Sequence, residues 1–181
     1  MKGSEIFKKE IGAIHNKDLA TAVAKFLDER VPCYFYEVAA SSTGKYHPWY
    51  SLGFAGLVRH TKAAVLIAVD LLSLEQNKYL PADNIIAALI LHDTFKHGIA
   101  DGGHTVFAHP ILAANELRDY AKECDLPELD DVADLIASHM GQWNTNKNAV
   151  FELPKPSDEA QKFVHMCDYL ASRKYLTVEV E

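Results

Sequence analysis

Histidine and aspartate interrupt the apolar stripes of four helical stretches in this chain, and that pattern narrows what it can fold into. His60 continues the stripe Leu57, Ala64, Ile67, Leu71 at steps of three and four residues. His92 follows Ile85 and Leu89, His139 follows Val132, Leu135 and Ile136, and Asp168 sits between Val164 and Ala171. Such spacing puts each polar side chain on the face that its helix buries. Burying a carboxylate without a counter-charge costs more than a small domain tolerates. No Lys or Arg lies on those same stripes, so another cation is required, and a divalent metal ion would serve. Asp93, directly after His92, and His109, just before Pro110, bring the candidate ligands to six.

The remaining composition sets bounds. At 181 residues one compact domain is expected, long enough for a real hydrophobic core. The longest apolar runs, Ala63 to Val69 and Ile85 to Leu91, are much too short to span a bilayer. The N-terminus alternates charge with apolar residues and lacks a signal-peptide core. Cys33, Cys124 and Cys167 are odd in number and lack CxxC spacing, against a disulfide framework or zinc knuckle. A cytoplasmic, reducing setting is therefore expected. The formal charge of −7 argues against a long nucleic-acid surface, which needs many Lys and Arg. It still permits a small anionic substrate.

Periodicity and punctuation predict helices over Ser4–His15, Lys17–Glu29, Phe54–Leu74, Ala82 to about Lys96, His109 to about Glu123, Asp130–Met140 and Ser157–Lys174. Pro110 suits the first helical position and puts His109 at the N-cap. Gly98, Gly102 and Gly103 make 98–105 irregular. Cys33 to Val38, aromatic and β-branched, reads as a short strand, and the alternating tail Tyr175 to Glu181 is a partner for it. The expected class is thus all-α, with a short peripheral β pair as an optional addition.

With its ligands in this order, the chain resembles the HD superfamily of metal-dependent phosphohydrolases over roughly residues 45–175. Leu91-His92-Asp93-Thr94-Phe95-Lys96 is similar to that family's central His-Asp segment. Gly56-Leu57-Val58-Arg59-His60-Thr61 is similar to its first-ligand helix, and Asp168 to its closing aspartate. His109-Pro110 and Ser138-His139 resemble the extra histidines of members that bind two metals. Lys45-Tyr46-His47-Pro48, with Leu153-Pro154-Lys155-Pro156, is similar to the HD domain of YhaM-type 3′-5′ exoribonucleases. Their oligonucleotide-binding barrel has no room here, which puts long RNA in doubt as a substrate.

The resemblance implies an HD helical bundle in which one metal takes His60, His92, Asp93 and Asp168. A second would share Asp93 and add His109 and His139. Mixed imidazole and carboxylate ligation suits Mn, Fe, Co, Ni or Zn, with Mg a poorer fit among so many nitrogens. Such ions would activate a water for attack on phosphorus. In that scheme Asp93 and Lys96 are the catalytic candidates, and His47, Lys96 and His104 the candidates for substrate binding. Arg59, Lys62, Arg173 and Lys174 are further cations, most of them expected to face solvent. Trp49, Tyr50 and Trp143 fit either base stacking or core packing, and His165 either orients Asp168 or packs.

Against each residue stands a plain alternative, since one histidine on an apolar face is more often a satisfied core residue. Three functions follow. The first is hydrolysis of a phosphate ester or anhydride of a nucleotide or short oligonucleotide. The second is 3′-5′ exonuclease-like trimming of RNA or DNA, and the third a non-catalytic, nucleotide-binding regulatory module. No membrane partner is expected, and the oligomeric state is left open.

Overall fold

The computed structural model describes residues 2–41 and 43–176. Its helices are α1 (Gly3–Ile6), α2 (Lys8–Ile11), α3 (Lys17–Glu29), α4 (Gly56–Leu72), α5 (Ala82–Leu91), α6 (His109–Cys124), α7 (Glu128–Ala137) and α8 (Glu159–Ala171). Short 3₁₀ turns link them, and no strand occurs among the described residues. The architecture is an all-α bundle.

At its centre lies α5, buried on every side from Ile85 to Leu91. A helix apolar all round has to be enclosed by others. Helices α4, α7 and α8 pack around it, while α3 closes another side and α6 lies along α7. Asp125, in the left-handed conformation at φ 52°, ends α6 and turns the chain into α7 within a few residues. Phe26, Phe95, Leu57, Leu89 and Ile90 are among the fully enclosed core side chains.

Two expected elements differ in kind, and helix ends differ in extent: α5 stops at Leu91 rather than near Lys96, and His109 is the first helical residue of α6, with Ala108 at the N-cap. Ser4–His15 is not one helix: it breaks at Phe7, whose buried ring stacks 6.0 Å from that of Phe35. Cys33–Tyr36 forms a 3₁₀ turn rather than a strand. There Tyr34 and Tyr36 donate their hydroxyls to the carbonyls of Gly98 and Leu27, so side-chain anchoring replaces sheet pairing. The proposed partner strand falls largely on 177–181, outside the described residues. Helix α8 starts two residues later than expected, with Asp158 accepting from the Gln161 amide as its cap, and ends three earlier, at Ala171.

Candidate metal centre

Five elements deliver the six predicted residues to one end of the bundle. His60 lies near the start of α4, while His92 and Asp93 follow the C-terminus of α5. His109 opens α6, His139 follows α7 and Asp168 lies in the last turn of α8. All are buried except Asp168, whose side chain keeps 20 % exposure.

Three of the histidines share one local device. His92 Nδ1 lies 2.8 Å from Leu89 O, His109 Nδ1 2.8 Å from Val106 O, and His139 Nδ1 2.8 Å from Ile136 O. A carbonyl only accepts, so each Nδ1 carries the proton and each Nε2 is left bare. At His92 and His139 the accepting carbonyls belong to a helix's last turn, where backbone acceptors lack intrahelical partners. The helix ends thereby fix tautomer and ring direction together, the arrangement that readies an imidazole for a metal.

The bare nitrogens meet around Asp93. Its Oδ2 lies 3.4 Å from His92 Nε2 and 3.9 Å from His60 Nε2, while its Oδ1 lies 3.1 Å from His109 Nε2 and 3.8 Å from His139 Nε2. One carboxylate thus faces two groups, His60 with His92 and His109 with His139, and each trio has ligand-type spacing. Asp168 Oδ1 borders the first group, 2.9 Å from His60 Nε2 and 3.5 Å from His92 Nε2. With their Nδ1 protons given to carbonyls, neutral His109 and His139 would bring two Nε2 lone pairs within 3.2 Å. Two lone pairs at that distance repel unless a cation lies between them, and nitrogens about 2.1 Å from one shared ion are separated by about that much. His92 Nε2 and Asp93 Oδ1 are likewise buried without a hydrogen-bond partner. The donor set fits one or two divalent ions.

Electrostatics agree. Burial works to raise the Asp93 carboxyl, but Lys96 and His92 outweigh it and hold it well below the usual range. Burial likewise opposes ionisation of Asp168, and His60 and His92 hold it equally low. Burial, reinforced by His92 and His109, lowers His139 to about 3. At His92 burial pushes down, but Asp93 and Asp168 prevail and lift it to about 10. Without a metal, His92 therefore does not keep Nε2 bare: it takes a second proton there, between two carboxylates, which does part of the neutralising and which a bound cation would displace. Lys96 does the rest, pairing with Asp93 Oδ2 although no cation was evident on the stripes themselves.

A cavity of about 390 Å³ opens onto the cluster. His60, Asp93, Lys96, His109, His139 and Asp168 line its floor, and His47 its side. The His47 ring stands 5.6 Å from that of His60 with its Nδ1 unpartnered, and burial, helped by His60 and Lys96, lowers it to about 4. His104 is exposed and does not line this cavity. Arg59 is spent on the Tyr50 and Leu52 carbonyls and Lys62 on Glu10. His165 turns from Asp168 and donates from Nδ1 to His139 O, 2.7 Å away. Tyr46, Tyr169 and Ser172 also line the wall, and sequence reasoning gave them no role. Spacing offered one signal, since Tyr169 and Arg173 stand four residues apart.

The HD domain family model matches residues 57–173, well over half of the chain, and the chain belongs to that family. HD domains are in general metal-dependent hydrolases within a phosphohydrolase superfamily. Comparison with curated proteins and with solved structures gave no significant match. Among the described residues, no helix is long and apolar enough to cross a membrane.

Proposed function

We propose that this HD-domain protein is a metal-dependent phosphohydrolase or phosphodiesterase acting on a nucleotide or short oligonucleotide. The observation that carries this reading is Asp93, buried between two imidazole groups whose Nε2 atoms are all aimed at it. In this scheme His60, His92, Asp93 and Asp168 hold one ion, and Asp93, His109 and His139 hold another. What divalent ions supply in such a site is an acidified water and neutralisation of the phosphoryl oxygens. The chain's own side chains do the remaining work. Backbone carbonyls keep three imidazoles in the ligating tautomer. Lys96, at the cavity floor, exchanges its contact with Asp93 for a substrate phosphate oxygen as a point charge. His47 offers an unpartnered Nδ1 to the bound ester.

The test is a hydrolysis screen of metal-reconstituted protein against nucleoside mono- and triphosphates, cyclic nucleotides and short oligonucleotides. Asp93→Ala serves as the blank, its fold checked by circular dichroism. Activity is expected on at least one class and falls by about two orders of magnitude or more in the variant, as when a main transition-state stabiliser is lost. Equal turnover by both proteins across the panel removes the enzyme reading. Tight nucleotide binding without turnover would favour a regulatory module, and release of single nucleotides from a 3′ end the exonuclease.

A further inference from the structure

Beside the histidine–aspartate cluster, one wall of the cavity holds an arginine with no acidic partner among the described residues. Arg173 forms no ion pair among the described residues; its Nε and Nη2 both donate to Ser172 Oγ, at 3.0 and 2.8 Å. Three rings surround the guanidinium. Its carbon lies 4.5 Å from the ring centre of Tyr169, 5.4 Å from that of Tyr46 and 5.9 Å from that of Trp143. Tyr169 and Trp143 are themselves stacked, 5.5 Å apart and 17° from parallel. The next residue is tethered as well, Lys174 N donating to Tyr46 O at 2.9 Å.

An arginine side chain ordinarily loses much rotamer freedom on binding an anion. Here ring faces hold the charge in place, which leaves the donors on Nη1 and the second N–H of Nη2 uncommitted. The other cavity cation, Lys96, is already paired with Asp93. A planar fork suits phosphate, whose oxygens accept two parallel N–H bonds. Arg173 and the metal-type cluster line the same cavity, so one molecule spans both. We propose that Arg173, caged by Tyr46, Trp143 and Tyr169, binds a second phosphate of the substrate, so that the molecule turned over carries two phosphates rather than one. This rests on the reading that the cavity takes a phosphate substrate. The second phosphate belongs either to a nucleoside diphosphate or triphosphate, or to the next linkage of an oligonucleotide.

Binding measured without turnover tests this. Metal-loaded protein is titrated calorimetrically with a nucleoside monophosphate, a methylene-bridged nucleoside diphosphate, and a phosphorothioate-linked dinucleotide bearing a 5′-phosphate. The two-phosphate probes resist cleavage and separate the two sources. In Arg173→Gln, affinity for the preferred two-phosphate probe is expected to fall by about 10- to 150-fold, and that for the monophosphate by less than about threefold. Equal losses for both kinds of probe would mean that Arg173 only braces the wall, and the proposal fails. No loss for either overturns it too. Should Arg173→Gln melt several degrees lower, Arg173→Lys decides: it keeps the charge but lacks the fork, so an undiminished two-phosphate preference overturns the proposal. Protein that discriminates the probes yet hydrolyses nothing would sink the hydrolase reading and leave Arg173 as the second-phosphate site of a bound ligand.

Discussion

Cys167 shows how much neighbouring residues can differ in what the fold does to them. It adjoins Asp168, yet its thiol points into the core with no exposure. Burial, with Asp168 adding, pushes that thiol up to about 12. A thiol raised from 9 to about 12 on folding contributes stability that is complete below pH 9. That contribution is lost as pH climbs toward 12, because the unfolded chain gives up its proton first. Cys33 and Cys124 are exposed. An aromatic disulfide reagent at pH 8 is therefore expected to modify two thiols quickly, and Cys167 only at the rate of unfolding. Three equally fast thiols would contradict the buried placement. The histidines carry the same lesson, since their shared contact with a carbonyl three residues back is what leaves Nε2 bare.

At the scale of elements, the ends of helices do more than their middles. The site needs the last turns of α5 and α7 to finish just before His92 and His139, and the turn after α7 depends on Gly141. That residue sits at φ 56°, and a Cβ there would lie 2.3 Å from the His165 ring. Gly141→Ala therefore adds backbone strain and drives His165 off the His139 carbonyl. A loss of about 2–4 kcal/mol is expected in urea unfolding, with weaker metal binding because the turn that carries His139 shifts once its carbonyl loses His165. A change within about 0.5 kcal/mol, as at an ordinary surface site, would show that the turn adapts. Periodicity makes α4, α5, α6 and α8 legible, since each has a clear apolar stripe or an apolar core run. It does not reveal the break at Phe7 or the 3₁₀ turn at Cys33–Tyr36. Those come from ring packing and from hydroxyls that reach Leu27 and Gly98, groups distant in sequence.

Across the whole molecule, the cluster links five helices that otherwise pack through apolar side chains, with an Arg118–Asp134 pair between α6 and α7. An ion bound there is bound only by the folded chain, so its affinity adds to folding stability. At a free metal concentration a hundred times Kd the gain is about 2.7 kcal/mol, or about 5–10 °C in Tm for a domain of this size. Adding Mn or Zn to chelator-treated protein is expected to raise Tm by that amount. The rise should vanish in His139→Ala combined with Asp93→Asn. An unchanged melt for wild-type protein with every divalent ion would speak against a cation at the cluster.

By itself the sequence determined the helical class and the apolar run of α5, and, with the resemblance to the HD superfamily, the identity of the six converging side chains. Those are local facts: periods of three and four residues, proline and glycine punctuation, and polar groups placed where a helix must bury them. Only the tertiary structure decided that Asp93 faces two groups at once, that Lys96 neutralises it, that His104 stays outside and that Arg173 enters the cavity wall. Apart from the Lys96–Asp93 pair, which is three residues apart, these depend on distances between residues far apart in the chain. Side-chain direction at these helix ends is set partly by a carbonyl three residues back, but where the helix stops, and which carboxylate or ring it then meets, is set by elements packed from elsewhere in the chain.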